Sequence, residues 1–179
     1  MLSVIVVILG AALRIGYRSA DAGEKRIEEI ERLRRSLSII DAQIQASIPL
    51  TFEEQGERKR YFIGEKKGLR LVTNYSIWAG RRGYVVTSYR IDYDAYGKQT
   101  LYASENVVGT TAMAETALLK GCDLIEFEYL EKGLTQGETK WVEQWTLDIP
   151  VPEKIRVHVR YRGWDHAVII PTRVRGKTA

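Results

Sequence analysis

The first 48 residues constrain the fold more than any other part of the chain. Residues 1–13, MLSVIVVILGAAL, carry no charge. From Ile27 onward apolar side chains recur at Ile27, Ile30, Leu33, Leu37, Ile40, Ile44 and Ile48, in steps of three and four. That spacing lines them along one face of an α-helix, because about 3.6 residues complete a turn. Glu28, Glu31, Arg32, Arg35 and Gln43 fall on the other, polar face. Glu28 with Arg32 and Glu31 with Arg35 are i,i+4 pairs in the favourable order, each adding about 0.2–0.5 kcal/mol. Pro49 biases Ile48 towards extended backbone, so the helix is expected to end there.

Gly10, Gly16 and Gly23 each disfavour a helix interior by about 1 kcal/mol relative to alanine. Asp21 followed by Glu24 offers a cap for a second start. One continuous helix and a bend near Gly23 both fit the sequence.

As a helix, residues 1–13 span only about 20 Å, against about 30 Å for a bilayer core. A secretory signal peptide would carry a basic start and a small-residue cleavage site, and neither is evident. A buried core helix is a second reading. The preferred one is the later part of a membrane helix whose start precedes Met1, because the apolar run begins without a flanking boundary. Arg14, Arg18, Lys25 and Arg26 come directly after it. Taken alone, the positive-inside tendency would place the rest of the chain in the cytoplasm.

After Pro49 the period changes from 3.6 to 2. Val85, Thr87, Tyr89, Ile91 and Tyr93 share one side of a strand, residues 94–97 read as a turn, and residues 99–104 return as the second arm of a hairpin. Ile125, Phe127 and Tyr129 alternate with Glu126 and Glu128. Over residues 154–162, Ile155, Val157, Val159 and Tyr161 point one way, and Lys154, Arg156, His158, Arg160 and Arg162 the other. Residues 164–170 return as a last strand, and residues 112–120 are expected to hold a short helix. The class is α+β: a long N-terminal helix and an antiparallel β-rich head. Residues 1–48 form a membrane and assembly helix, apolar over 1–13 and amphipathic over 27–48, and residues 49–179 form the head.

Little in the chain points to catalysis. There is no G-x-S-x-G, H-E-x-x-H or phosphate-binding glycine loop. No catalytic residue, cofactor or metal site is expected. His158 and His166 are neighbours in the last strands with only Asp165 at ligand spacing, and His158 reads as a solvated residue of the basic face. Gly80-Arg-Arg-Gly83 is a turn with, at most, weak anion affinity. The net charge of +4 is mild. The acidic face of Glu126, Glu128 and Glu131 and the basic face of residues 154–162 are expected to pair across neighbouring strands. Nucleic-acid binding is not expected, because the aromatics lie opposite the basic side chains rather than among them. Trp141 and Trp145 are expected to cap the core. The single cysteine, Cys122, reads as a buried structural thiol.

Residues 118–130, LLKGCDLIEFEYL, resemble a signature of the J-type minor pseudopilins of type II secretion. That family carries an "LL-x-G-V" entry, an "F-x-Y-L" strand, tryptophans, and then an "L-P-x-x-V/I-x-V" strand. Phe127, Tyr129, Leu130, Trp141, Trp145, Pro152, Ile155 and Val157 match in this order. Tyr89-Arg-Ile91 and Leu101-Tyr102 resemble the family's upstream hairpin. The resemblance covers about residues 27–162. Cys122 stands where the family has valine, and the family's glycine cleavage point, phenylalanine and acidic fifth residue are absent.

The resemblance implies a pilin-like fold and a non-enzymatic subunit near the tip of a periplasmic pseudopilus. It would be held as a single pass in a bacterial inner membrane by its N-terminal helix. Its partners would be the I- and K-type minor pseudopilins and the major pseudopilin, with no nucleic acid and no small-molecule substrate. Val4, Val7, Ile8, Ile27, Ile30, Leu33, Leu37, Ile40 and Ile44 would form the assembly face. The alternatives are a minor pilin of a type IV pilus, serving adhesion or DNA uptake, and a membrane-tethered enzyme or binding domain.

Overall fold

A computed structural model describes residues 2–54, 57–78, 83–108, 113–132, 138–146 and 151–173; side chains are excluded for residues 2–22, 25, 54 and 57–59. The chain divides into two compact units, Met1–Ser38 and Ile39–Ala179. Helix α1 is Leu2–Gln45, so the division falls inside it. It stops before Pro49 because residues 47–48 leave the helix and join a sheet.

The second unit is β-rich and antiparallel. Its strands are β1 (Ser47–Ile48), β2 (Thr51–Glu54), β3 (Glu57–Arg60), β4 (Ile63–Glu65), β5 (Gly68–Thr73), β6 (Val85–Tyr93), β7 (Gln99–Val107), β8 (Met113–Cys122), β9 (Leu124–Lys132), β10 (Thr139–Val142), β11 (Lys154–Tyr161) and β12 (Trp164–Pro171). A six-stranded sheet runs β1-β5-β6-β7-β8, with β4 also on β5. A four-stranded sheet runs β10-β9-β11-β12, and β2 pairs with β3 alone.

The expected hairpin is β6–β7, with Tyr93 opposite Gln99. Asp94 shapes its turn by accepting from the amides of Tyr96 and Lys98. The helix expected over 112–120 is instead strand β8 from Met113 on. Its alanine, glutamate and leucine content favours a helix locally. Pairing of Thr116 with Ala103 and of Ala117 with Tyr102 extends the sheet, and that non-local ladder decides the outcome.

Most of the core lies on one face of each large sheet, with Val72 and Val86 also buried on the other face of β5 and β6. Leu69 and Leu71, Tyr89 and Ile91, and Leu101 and Ala103 are buried from β5, β6 and β7. Ile125, Phe127, Tyr129, Ile155, Val157 and Val159 are buried from β9 and β11. The rings of Tyr89 and Phe127 sit 6.0 Å apart, and the Tyr129 hydroxyl donates to the carbonyls of Glu65 and Gly68 at 2.9 and 3.2 Å. Gly64 is required here: a Cβ would come within 2.7 Å of the Tyr129 ring. Tyr93, expected on the inward side, lies 53 % exposed at the hairpin end, where its hydroxyl accepts from Gln99 at 2.9 Å. Cys122 is buried, as expected of a structural thiol, and burial pushes its pKa up to about 11, which leaves it unreactive.

Candidate assembly surfaces

The apolar stripe of α1 meets two fates. Ile40 and Ile44 are fully buried inside the second unit, so these two members of the expected assembly face serve their own core. In the first unit Ile27 is 63 % exposed, and Ile30, Leu33 and Leu37 are half-buried. The side chains of Val4, Val7 and Ile8 lie outside the described residues. On the polar face Glu31 pairs with Arg34, at i,i+3 and 3.5 Å, rather than in the expected i,i+4 pattern. Both side chains are exposed, so the pair contributes little.

Gln43, expected on the polar face, is fully buried. Its position three after Ile40 and one before Ile44 carries it inward with them. Its amide nitrogen donates to the Tyr75 carbonyl at 3.0 Å, to the Thr87 hydroxyl at 3.3 Å and to the Glu105 carboxylate at 2.5 Å. Its amide oxygen accepts from the Tyr89 hydroxyl. Glu105 also accepts from the Ser76 hydroxyl at 2.6 Å and the Ile77 amide at 2.9 Å. Burial, with the charge of Glu105 second, raises the Tyr89 pKa well above its ordinary value, so that hydroxyl stays a donor. A buried carboxylate persists only when its lone pairs are met, as they are here. This cluster joins the last turns of α1 to β6, β7 and the segment after β5.

The outward face of the four-stranded sheet carries the charges. Its register sets Arg156 opposite Glu128 and His158 opposite Glu126, the expected cross-strand pairing. Arg156 grips Glu128 through two nitrogens at 2.6 and 2.7 Å, and its guanidinium lies 4.5 Å from the centre of the Trp141 ring. Trp141 therefore covers an ion pair rather than the core. Opposition of Val142 to Tyr129 and of Trp141 to Leu130 explains why, since alternate residues change sides. Trp145 lies beyond β10, half-buried, with its amide donating to the Gly64 carbonyl at 2.9 Å.

His158 is not the solvated histidine that its own strand suggests. It is 23 % exposed and lies between Glu126 and Asp165. His166 is exposed on the opposite face, paired with Val159 where His158 pairs with Ala167. The two histidines do not converge. Among the described residues no group of three or more His, Cys, Asp or Glu side chains is arranged to hold a metal. The turn around Gly80 lies outside the described residues except for Gly83.

At one end of the sheets Asp123 ties three turns together. It accepts from Lys98 and from the Arg162 amide, while its own amide donates to the Arg160 carbonyl at 2.7 Å. The Lys98 hydrogen bond leads in holding the Asp123 pKa below its ordinary value. Arg162 and Gly163 both have positive φ, 49° and 81°, the pattern of a type I′ hairpin turn. Among the described residues no helix is long and apolar enough to cross a membrane.

The family model for type II secretion system protein J matches residues 11–169. No curated protein and no solved structure matches the chain.

Proposed function

The chain belongs to the type II secretion system protein J family and is a minor pseudopilin; from that premise we propose that it works by packing, as a structural subunit near the tip of a periplasmic pseudopilus. The family is a structural one, associated with the periplasm and the inner membrane. A role as a minor pilin of a type IV pilus, or as a tethered enzyme, is not favoured by this match.

In this reading the molecule has the pilin-like plan, with residues 1–48 as the membrane and assembly helix and residues 49–179 as the head. The apolar start anchors the chain as a single pass in the inner membrane. Val4, Val7, Ile8, Ile27, Ile30, Leu33 and Leu37 pack against the helices of other subunits, while Ile40 and Ile44 fix the helix to its own head. The partners are the I- and K-type minor pseudopilins and the major pseudopilin.

The observation that carries this reading is the family match over residues 11–169. The exposure of Ile27 supports it, since a helical apolar stripe gains stability only once covered. The test is co-purification of the full-length chain with I- and K-type pseudopilins from detergent-solubilised membranes. A stable complex that is lost in I27D/L33D, with the head still folded, is expected. Absence of any complex with the unaltered chain contradicts the reading.

A further inference from the structure

We propose that His158 is a proton-dependent clamp that ties the edge strand β12 to β9 across β11, so that the order of this sheet edge depends on pH. The inference does not depend on the assembly role.

The geometry carries it. Nδ1 of His158 faces a Glu126 carboxylate oxygen at 3.4 Å, and Nε2 faces Asp165. Glu126 belongs to β9 and Asp165 to β12. A neutral imidazole has one N–H and presents a lone pair at the other nitrogen. Against two carboxylates, one contact would then be repulsive. Only the imidazolium donates on both sides and joins all three strands.

The surrounding charges hold each carboxylate from its far side. Arg160, on the same strand as His158, reaches Asp165 at 3.2 Å through two nitrogens. Lys66, in the turn between β4 and β5, reaches Glu126 at 3.5 Å and also binds Glu143. Arg156 is taken up by Glu128. Of Asp165 and Glu126, Arg160 holds only the first and Lys66 only the second, whereas His158 touches both. β12 is an edge strand of its sheet, paired with β11 alone, and its residues 164–167 are exposed.

The direction of the titration is set by these contacts. The hydrogen bond to Asp165 leads in raising the His158 pKa, against the opposing effect of burial and with help from Glu126. The hydrogen bond to His158 leads in lowering that of Asp165. A raised histidine contributes stability that is fully present below its ordinary value and is lost as pH rises through the folded value. A lowered aspartate contributes stability that is present above its ordinary value and is lost as pH falls through the folded value. The clamp is therefore closed between these limits, and it opens on the alkaline side through His158.

The test uses the full-length chain in detergent micelles. The chain has two histidines, so an H166Q background leaves His158 as the single imidazole in an NMR titration. Amide exchange of residues 164–171, normalised to the intrinsic rate at each pH, reports the edge. His158 is expected to titrate above the ordinary imidazole value. Normalised exchange in β12 is expected to rise several-fold through that titration, with β6 unchanged. H158Q should show the high-pH behaviour throughout, and D165N should bring the His158 titration down from its wild-type value. A His158 titration at or below the ordinary imidazole value, flat exchange in β12, or a wild-type exchange profile in H158Q overturns the proposal.

Discussion

Ile27 and Ile44 belong to one apolar stripe with one spacing, yet the first is 63 % exposed and the second not at all. Periodicity records only that a face must be covered. What covers it is decided by the rest of the chain. At Ile40 and Ile44 the same polypeptide supplies the cover, and a buried amide between them, Gln43, is met by Thr87, Tyr89 and Glu105. At Ile27 the described structure leaves the side chain open, and the proposed cover is another subunit.

This contrast sets the order of expected effects. Ile44→Ala removes a fully buried side chain and is expected to cost about 2–5 kcal/mol, read as the head's midpoint in chemical denaturation. Glu105→Ala leaves the Gln43 amide, the Ser76 hydroxyl and the Ile77 amide short of an acceptor. A loss of about 1–3 kcal/mol is expected, with Glu105→Gln milder, since one acceptor oxygen remains. Ile40→Val deletes one buried methylene and should cost about 0.5–1.5 kcal/mol in the same assay. Ile27→Gln should stay within about 0.5 kcal/mol of the parent while weakening recovery of the other pseudopilins from membranes. If Ile27→Gln proved as destabilising as Ile44→Ala, the contrast between the two ends of the stripe would fail.

Strands whose inner and outer faces differ sharply are legible in the sequence. β7, β9 and β11 alternate buried with more accessible side chains, as β6 does from Thr87 to Ile91, and the ladder of Glu126 and Glu128 against His158 and Arg156 results from that alternation and an antiparallel register. β2 to β5 are not legible in this way. They are short, charged and interrupted, as in residues 56–60 and 65–68, and they depend on pairing with distant segments. Strand β8 has the composition of a helix, and local propensity carries no information about a neighbouring strand.

The polar anchor leaves a signal that alternation alone does not interpret. Glu105 falls in phase with inward Leu101 and Ala103, and Gln43 is in helical phase with Ile40 and Ile44. A charged residue on an inward phase should prompt a search for a buried partner. His158 belongs to a solvated face when its own strand is taken alone. Its surroundings come from Glu126 and Asp165 on the strands to either side, which only the register brings together.

The most direct measurement of the central claim is photo-crosslinking in native membranes, with a photoreactive residue at position 27 in one variant and at position 44 in another. Adducts to other pseudopilins are expected from position 27 and none from position 44. Equal yields from both positions, or no adduct from position 27 in secreting cells, would contradict it.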